Sequence, residues 1–117
     1  MRYALSMADC LFCKIAAGAI PVTKLAENEH ALAFPDINPQ APVHALVIPK
    51  AHFASLADAD PATVGAVHAL AVEVARLKGV AGSGYRTVIN SGADAGQTVF
   101  HLHLHLLGGR SMGWPPG

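Results

Sequence analysis

Val99-Phe100-His101-Leu102-His103-Leu104-His105-Leu106-Leu107 alternates histidine with leucine through its middle. Side chains on a β-strand point to opposite faces in turn, so the stretch predicts a strand with His101, His103 and His105 on one face and Leu102, Leu104 and Leu106 on the other. The leucine face needs a helix to cover it. One opens at Asp60-Pro61, an acidic N-cap followed by proline at the first helical position, and closes at Gly79 with Arg76 and Lys78 in its last turn. Val64, Val67, Leu70, Ala71, Val74 and Leu77 are expected to form its inward stripe.

Upstream, Leu11, Phe12, Ile15 and Ala16 lie at helical spacing before Gly18, which predicts a short helix over 10–17. Thr23 to Glu27 and His30 to Phe34 read as a hairpin turning at Glu27-Asn28-Glu29. Three prolines within 35–42 make a stiff irregular loop. His44 to Ile48, between Pro42 and Pro49, reads as a strand buried on both faces. Lys50 to Asp58 fits more than one reading. Tyr85 to Asn90 is a strand, and Ser91 to Thr98 is a glycine-rich loop. The order of three strands, a long helix and two strands predicts an α+β domain, an antiparallel sheet with the long helix on one face. Residues 1–117 read as a single domain without repeats.

Eight basic residues balance eight acidic ones, so the chain lacks the field needed to hold a nucleic-acid backbone or an anionic membrane. No apolar run approaches a membrane span and the start is too short for a signal sequence, so the expected location is cytoplasmic. Cys10 and Cys13 are the only cysteines, and in a reducing compartment Cys-x-x-Cys points to metal or redox chemistry. Trp114-Pro115-Pro116-Gly117 cannot be helix, and its tryptophan needs a partner or groove to bury it.

Same-face strand residues lie roughly 6.5–7 Å apart, close enough for neighbouring imidazoles to act on one phosphorus centre. A solvated polar face is the plainer reading, and zinc ligation by His-x-His is another that requires further ligands. The loop Gly92-Ala93-Asp94-Ala95-Gly96-Gln97-Thr98 leads into the histidines. Its glycines can turn backbone N–H groups toward an anion and Gln97 and Thr98 add donors, although a plain turn fits the same residues.

The blocks Phe34 through Lys50, Gly84-Tyr85-Arg86 and Gly96 through Arg110, with the tail Met112 through Gly117, resemble the histidine triad nucleotide-binding proteins, in particular the purine nucleoside phosphoramidase branch. The likeness runs from about Cys10 to Gly117, leaving 1–9 as an extension. It implies a five-stranded antiparallel sheet with one long and one short helix. It also implies a homodimer whose sheets join, with the tail 108–117 and its Trp114 reaching the partner's site.

For chemistry, the resemblance implies that His103 attacks the α-phosphate and forms a covalent nucleotidyl-histidine, which water hydrolyses. His105 would contact the phosphate and His44 would help set protonation, although a core histidine bonded to a backbone carbonyl also fits His44. Asp36 corresponds to the carboxylate that binds the ribose hydroxyls, and Phe12, Phe34 and Ile37 to the slot for the base. Asn90 and Gly96-Gln97-Thr98 correspond to sugar and phosphate contacts. The expected substrate is a purine nucleotide, as an adenosine or guanosine 5′-phosphoramidate. A dinucleoside polyphosphate hydrolase, a nucleotide-binding interaction module with incidental turnover and a zinc-dependent hydrolase at the triad are the rival functions.

Cys10 and Cys13 resemble those of family members in which two cysteines bind structural zinc with two histidines, here His52 and His101. Two buried reduced thiols are the alternative. Such a site would leave His103 and His105 for catalysis, which on this reading needs no cofactor.

Overall fold

The structure, a computed structural model, describes residues 9–117; most of the 1–9 extension lies outside them. Helix α1 (Leu11–Ala16) precedes strands β1 (Ala26–Glu27), β2 (Ala31–Pro35) and β3 (Val43–Pro49). Helix α2 (Pro61–Leu77) then leads to β4 (Tyr85–Ile89) and β5 (Leu104–Gly108). The strands form one antiparallel sheet in the order β1-β2-β3-β5-β4. This is the expected α+β architecture. Among the described residues, no helix is long and apolar enough to cross a membrane.

Helix α2 starts where its cap chemistry says it should. Asp60 Oδ2 accepts the Thr63 amide at 3.1 Å, its Oδ1 accepts the Thr63 hydroxyl at 2.7 Å, and Pro61 occupies the first turn. Gly79, at φ +77°, turns the chain out of the helix. Val67, Leu70, Ala71 and Val74 are buried as expected, joined by Thr63 and Ala75. Val64 is only half-buried and Leu77 is 60% exposed. Leu77 follows Leu70 by seven residues, over which a straight helix drifts by about 20°, enough to carry it past the edge of the stripe.

The sheet is covered on both sides. Ala31, Ala33, Ala45, Val47, Leu104 and Leu106 face α2, while Leu32, Phe34, Leu46 and Ile48 pack with Phe12 and Ile15 of α1. Strand β3 is thus buried on both faces, with alternate residues in each cluster. The first hairpin strand is shorter than expected, because β1 pairs only through Ala26↔Ala33 and Glu27↔Leu32. The last strand begins at Leu104 rather than Val99. Its pairing with both neighbours stops there, at Val47 and Ile89, although β3 itself runs on to Pro49 against β2, and the preceding residues bond elsewhere: the Leu102 amide donates to the Phe53 carbonyl at 2.7 Å.

Leu104→Ala should lower the free energy of unfolding by about 2–5 kcal/mol by opening a cavity under α2. Leu77→Ala should cost less than about 0.5 kcal/mol. Urea titrations of the two variants test the assignment, and equal losses would contradict it.

Candidate active centre and metal cluster

The three alternating histidines divide into two groups. His101 is fully buried, His103 nearly so, and His105 half-buried at the start of β5. His101 and His103 precede the regular strand, yet both rings lie on the α1 side, while Leu104 packs beneath α2. Phe12, on α1, meets the rings of His101 at 5.8 Å and His103 at 5.1 Å, edge to face.

Main-chain groups choose the tautomers of these rings. His103 Nδ1 lies 2.8 Å from the His101 carbonyl, which can only accept, so the ring proton sits on Nδ1 and Nε2 keeps its lone pair. The Gln40 amide donates to His44 Nδ1 at 2.9 Å, so neutral His44 carries its proton on Nε2. That nitrogen is 2.9 Å from His105 Nδ1, which must then accept and leave the His105 proton on Nε2. Asp36 Oδ2 lies 3.3 Å from His44 Nε2 and 3.9 Å from His105 Nδ1. A bare nitrogen on His103 and an N–H on His105 therefore belong to rings 5.1 Å apart.

Both rings line a cavity of about 420 Å³ with Phe12, Phe34, Asp36, Ile37 and Thr98. Leu46 and Val99 also line it and were not singled out from the sequence; they read there as ordinary core residues. Ile37 is fully exposed at the lip. Asn90 is half-buried and Gly96 exposed, and neither lines the cavity. Gln97 is spent on the fold: its carbonyl accepts from Gly92, and its amide donates to the carbonyls of Ala54 at 2.7 Å and Val99 at 3.1 Å. Its side chain staples the glycine loop instead of presenting a donor. Trp114 is 81% exposed, near the Arg86 guanidinium and outside this cavity.

The remaining histidine joins the cysteines. Cys10 caps α1, its sulfur accepting the Cys13 amide, so the Cys-x-x-Cys spacing brings both sulfurs to the first turn. Cys10, Cys13, His52 and His101 place one donor atom each within 4.8 Å of all the others. The sulfur to Nδ1 separations are 3.4 Å for Cys10–His101, 3.2 Å for Cys13–His52 and 3.5 Å for Cys13–His101. These approach the edge of about 3.6 Å expected for a zinc-centred tetrahedron with sulfur and nitrogen ligands. His101 Nε2 donates to the Pro49 carbonyl at 2.9 Å, which leaves Nδ1 bare toward the sulfurs. The donor set fits a closed structural zinc site.

Burial sets the protonation of the metal-free protein. It pulls His101 down to about 4, helped by His52 and His103 and opposed by the Pro49 carbonyl. It also lowers His44 and His105; for His105, His103 and His44 push in the same direction. Cys13 is raised to about 11 by burial and by Cys10, so without a cation it remains a thiol.

In metal-free protein the unfolded chain takes a proton at His101 near pH 6.5, while the folded chain resists until about pH 4. The unfolded state therefore binds more protons across this window, and stability falls as pH falls. His101 alone contributes roughly 2 kcal/mol between pH 6.5 and 5. Urea unfolding from pH 7 to 5 should show the slope, and His101→Asn should reduce it to the share that His44 and His105 supply; a flat wild-type profile would contradict the account.

Residues 17–112 match the family model described as HIT domain. The chain is 51% identical to an uncharacterized HIT-like protein of Synechocystis sp. over 112 residues, 93% of this chain and 97% of that protein. A HIT family hydrolase from Legionella pneumophila superposes with a TM-score of 0.88 and 49% identity, covering 92% of this chain and 99% of that one. A Zn-bound histidine triad family protein from Mycobacterium smegmatis superposes at 0.81 with 36% identity, covering 96% and 82%. Matched across most of its length by a family model and across nearly all of it by close relatives, the chain belongs to the HIT domain family.

Proposed function

We propose that the protein hydrolyses the P–N bond of purine nucleoside 5′-phosphoramidates, releasing a nucleoside monophosphate and an amine. The observation that carries this reading is the His103 tautomer: its Nδ1–H is held by the His101 carbonyl, which leaves Nε2 as the nucleophile of a ring lining the cavity. Nε2 attacks the α-phosphorus, the P–N bond breaks, and the departing nitrogen takes up a proton. Water then attacks the nucleotidyl-His103: its oxygen bonds to phosphorus as the P–Nε2 bond breaks, which frees the nucleoside monophosphate and His103, and the proton given up by the water replaces the one taken up by the amine. Throughout, the His105 Nε2–H is the donor available to a phosphoryl oxygen.

The same cavity suits the rest of the nucleotide. Phe12, Phe34, Leu46 and Ile37 offer an apolar wall for the base, while Asp36 and Thr98 offer polar groups for the sugar and phosphate. Asn90 and Gly96 are candidate sugar and phosphate contacts at the margin of the site, and Gln97 acts by holding the glycine loop. The naming of the Legionella relative as a hydrolase supports catalysis over passive binding. The working unit is a homodimer. Strand β4 is an outer strand of the sheet, and exposed Trp114 gains a place to bury its ring at the partner's cavity.

His103→Ala should lower kcat on an AMP-amine conjugate by roughly a thousandfold or more while AMP still binds. Undiminished turnover would refute the nucleophile assignment, and faster turnover of a diadenosine polyphosphate than of the phosphoramidate would move the substrate class.

Cys10, Cys13, His52 and His101 are proposed to hold one structural zinc, a reading supported by their geometry and by the Zn-bound Mycobacterium relative. When bound, the ion supplies no step of the reaction: it neutralises the thiolates and ties α1, and with it Phe12, to the chain ahead of β5. Protein purified without chelator should carry about one zinc per chain, lost in Cys13→Ser. Absence of metal together with free alkylation of both cysteines would sink the assignment.

A further inference from the structure

Arg110 stands two residues beyond the end of β5, where the chain crosses the proline loop between β2 and β3. The crossing is close: Gly109 has φ +88°, and a Cβ there would stand 2.9 Å from Pro42 Cβ. Arg110 Nε and Nη2 both donate to the Gln40 carbonyl, at 3.2 and 3.1 Å, and its Nη1 donates to the Ser111 carbonyl at 3.0 Å. Gln40 is also the residue whose amide fixes His44 Nδ1. Its side chain donates only to the Asn38 carbonyl, within the same loop. Among the described residues, Arg110 supplies the hydrogen bonds that reach the Gln40 carbonyl from outside the loop.

The consequence for the active centre turns on one proton. If His44 carried its proton on Nδ1, Nε2 would present a lone pair to His105 Nδ1. His105 would then have to place its own proton on Nδ1, and its Nε2 would become bare. A bare nitrogen repels a phosphoryl oxygen that an N–H would hold. Asp36 cannot choose between these arrangements, because in either one a single proton lies between His44 and His105, in front of Oδ2. The Gln40 amide can choose, because it donates and never accepts.

We propose that Arg110 is a positioning residue: by holding the Gln40 carbonyl it keeps the Gln40 amide on His44 and so fixes His105 as a donor toward the substrate phosphate. The assignment rests on the reading of His103 and His105 as the reactive pair. It gives the C-terminal tail a role within its own subunit, through the Arg110 anchor, separate from any role of Trp114 in the partner's.

The test measures phosphoramidate turnover and the imidazole ¹⁵N shifts of His44 and His105 in wild type, Arg110→Ala and Arg110→Lys. In Arg110→Ala, kcat should fall by about 10-fold to 100-fold with KM changed less than about threefold, as for a misaligned catalytic group. The His44 shifts should move from a pure Nε2–H tautomer to a mixture, with Arg110→Lys intermediate in both readouts. A loss of kcat with the His44 tautomer unchanged would overturn the proposal, as would no change in either. Should Arg110→Ala not fold, the Lys variant decides by the same two readouts. If the wild type turns over no phosphoramidate, the proposed function fails, and the tautomer measurement still decides the role of Arg110.

Discussion

The antiparallel pairing of β3 with β5 is the constraint on which the site and the core both depend. Its register sets His44 opposite Leu107 and Leu46 opposite His105. His44 and His105 are therefore diagonal neighbours on one face, within reach of long side chains, and their nitrogens meet at 2.9 Å. On the opposite face the same register closes Ala45 and Val47 with Leu104 and Leu106 beneath α2. A slip of one residue would turn the histidine under the helix and the leucines into the cavity. The hydrophobic cost of that exchange is what holds the histidine geometry in register.

Main-chain polarity then does what side chains do in many active sites. The carbonyls of Pro49 and His101 and the amide of Gln40 each meet one imidazole nitrogen, and each leaves the other nitrogen with a defined role. Peptide groups in paired strands and pinned loops reorient little, so the protonation pattern is set before a substrate arrives. Burial reinforces it by keeping His44, His101 and His105 below the ordinary histidine range and so neutral at pH 7.

Much of this was legible in the sequence because it follows from period and from caps. Alternation in His101 through Leu106 reports two faces even where the strand has not yet begun, since extended chain alternates with or without a hydrogen-bonded neighbour. The Asp60-Pro61 start of α2 and the Cys10-x-x-Cys13 turn are local chemistry, written in adjacent residues. Partnership is what a sequence conceals. Leu104 is the first strand residue because β4 ends beside it at Ile89 and the chain ahead of it bonds to Phe53 instead. Gln97 reads as a free donor until the fold brings the Ala54 carbonyl to it. Gln40 matters through its amide and its carbonyl, which every residue type but proline shares, so nothing in its side chain marks it.

Two groups of metal-binding residue types lie on the described chain, Cys10–Cys13–His52–His101 and Asp36–His44–His105. Spacing alone does not separate them, because each set of donor atoms lies within 4.8 Å. The hydrogen bonds do. At His101 the Pro49 carbonyl takes up the Nε2 proton, so Nδ1 is offered to a cation at no cost in protonation. At His44 a cation on Nε2 would force the ring proton onto Nδ1, against the Gln40 amide already donating there. One bond would have to break before the other could form. The direction of two peptide groups, one accepting and one donating, thus suits the first cluster to a structural ion and leaves the second less suited to one, as the proposed role of His105 at a phosphate requires.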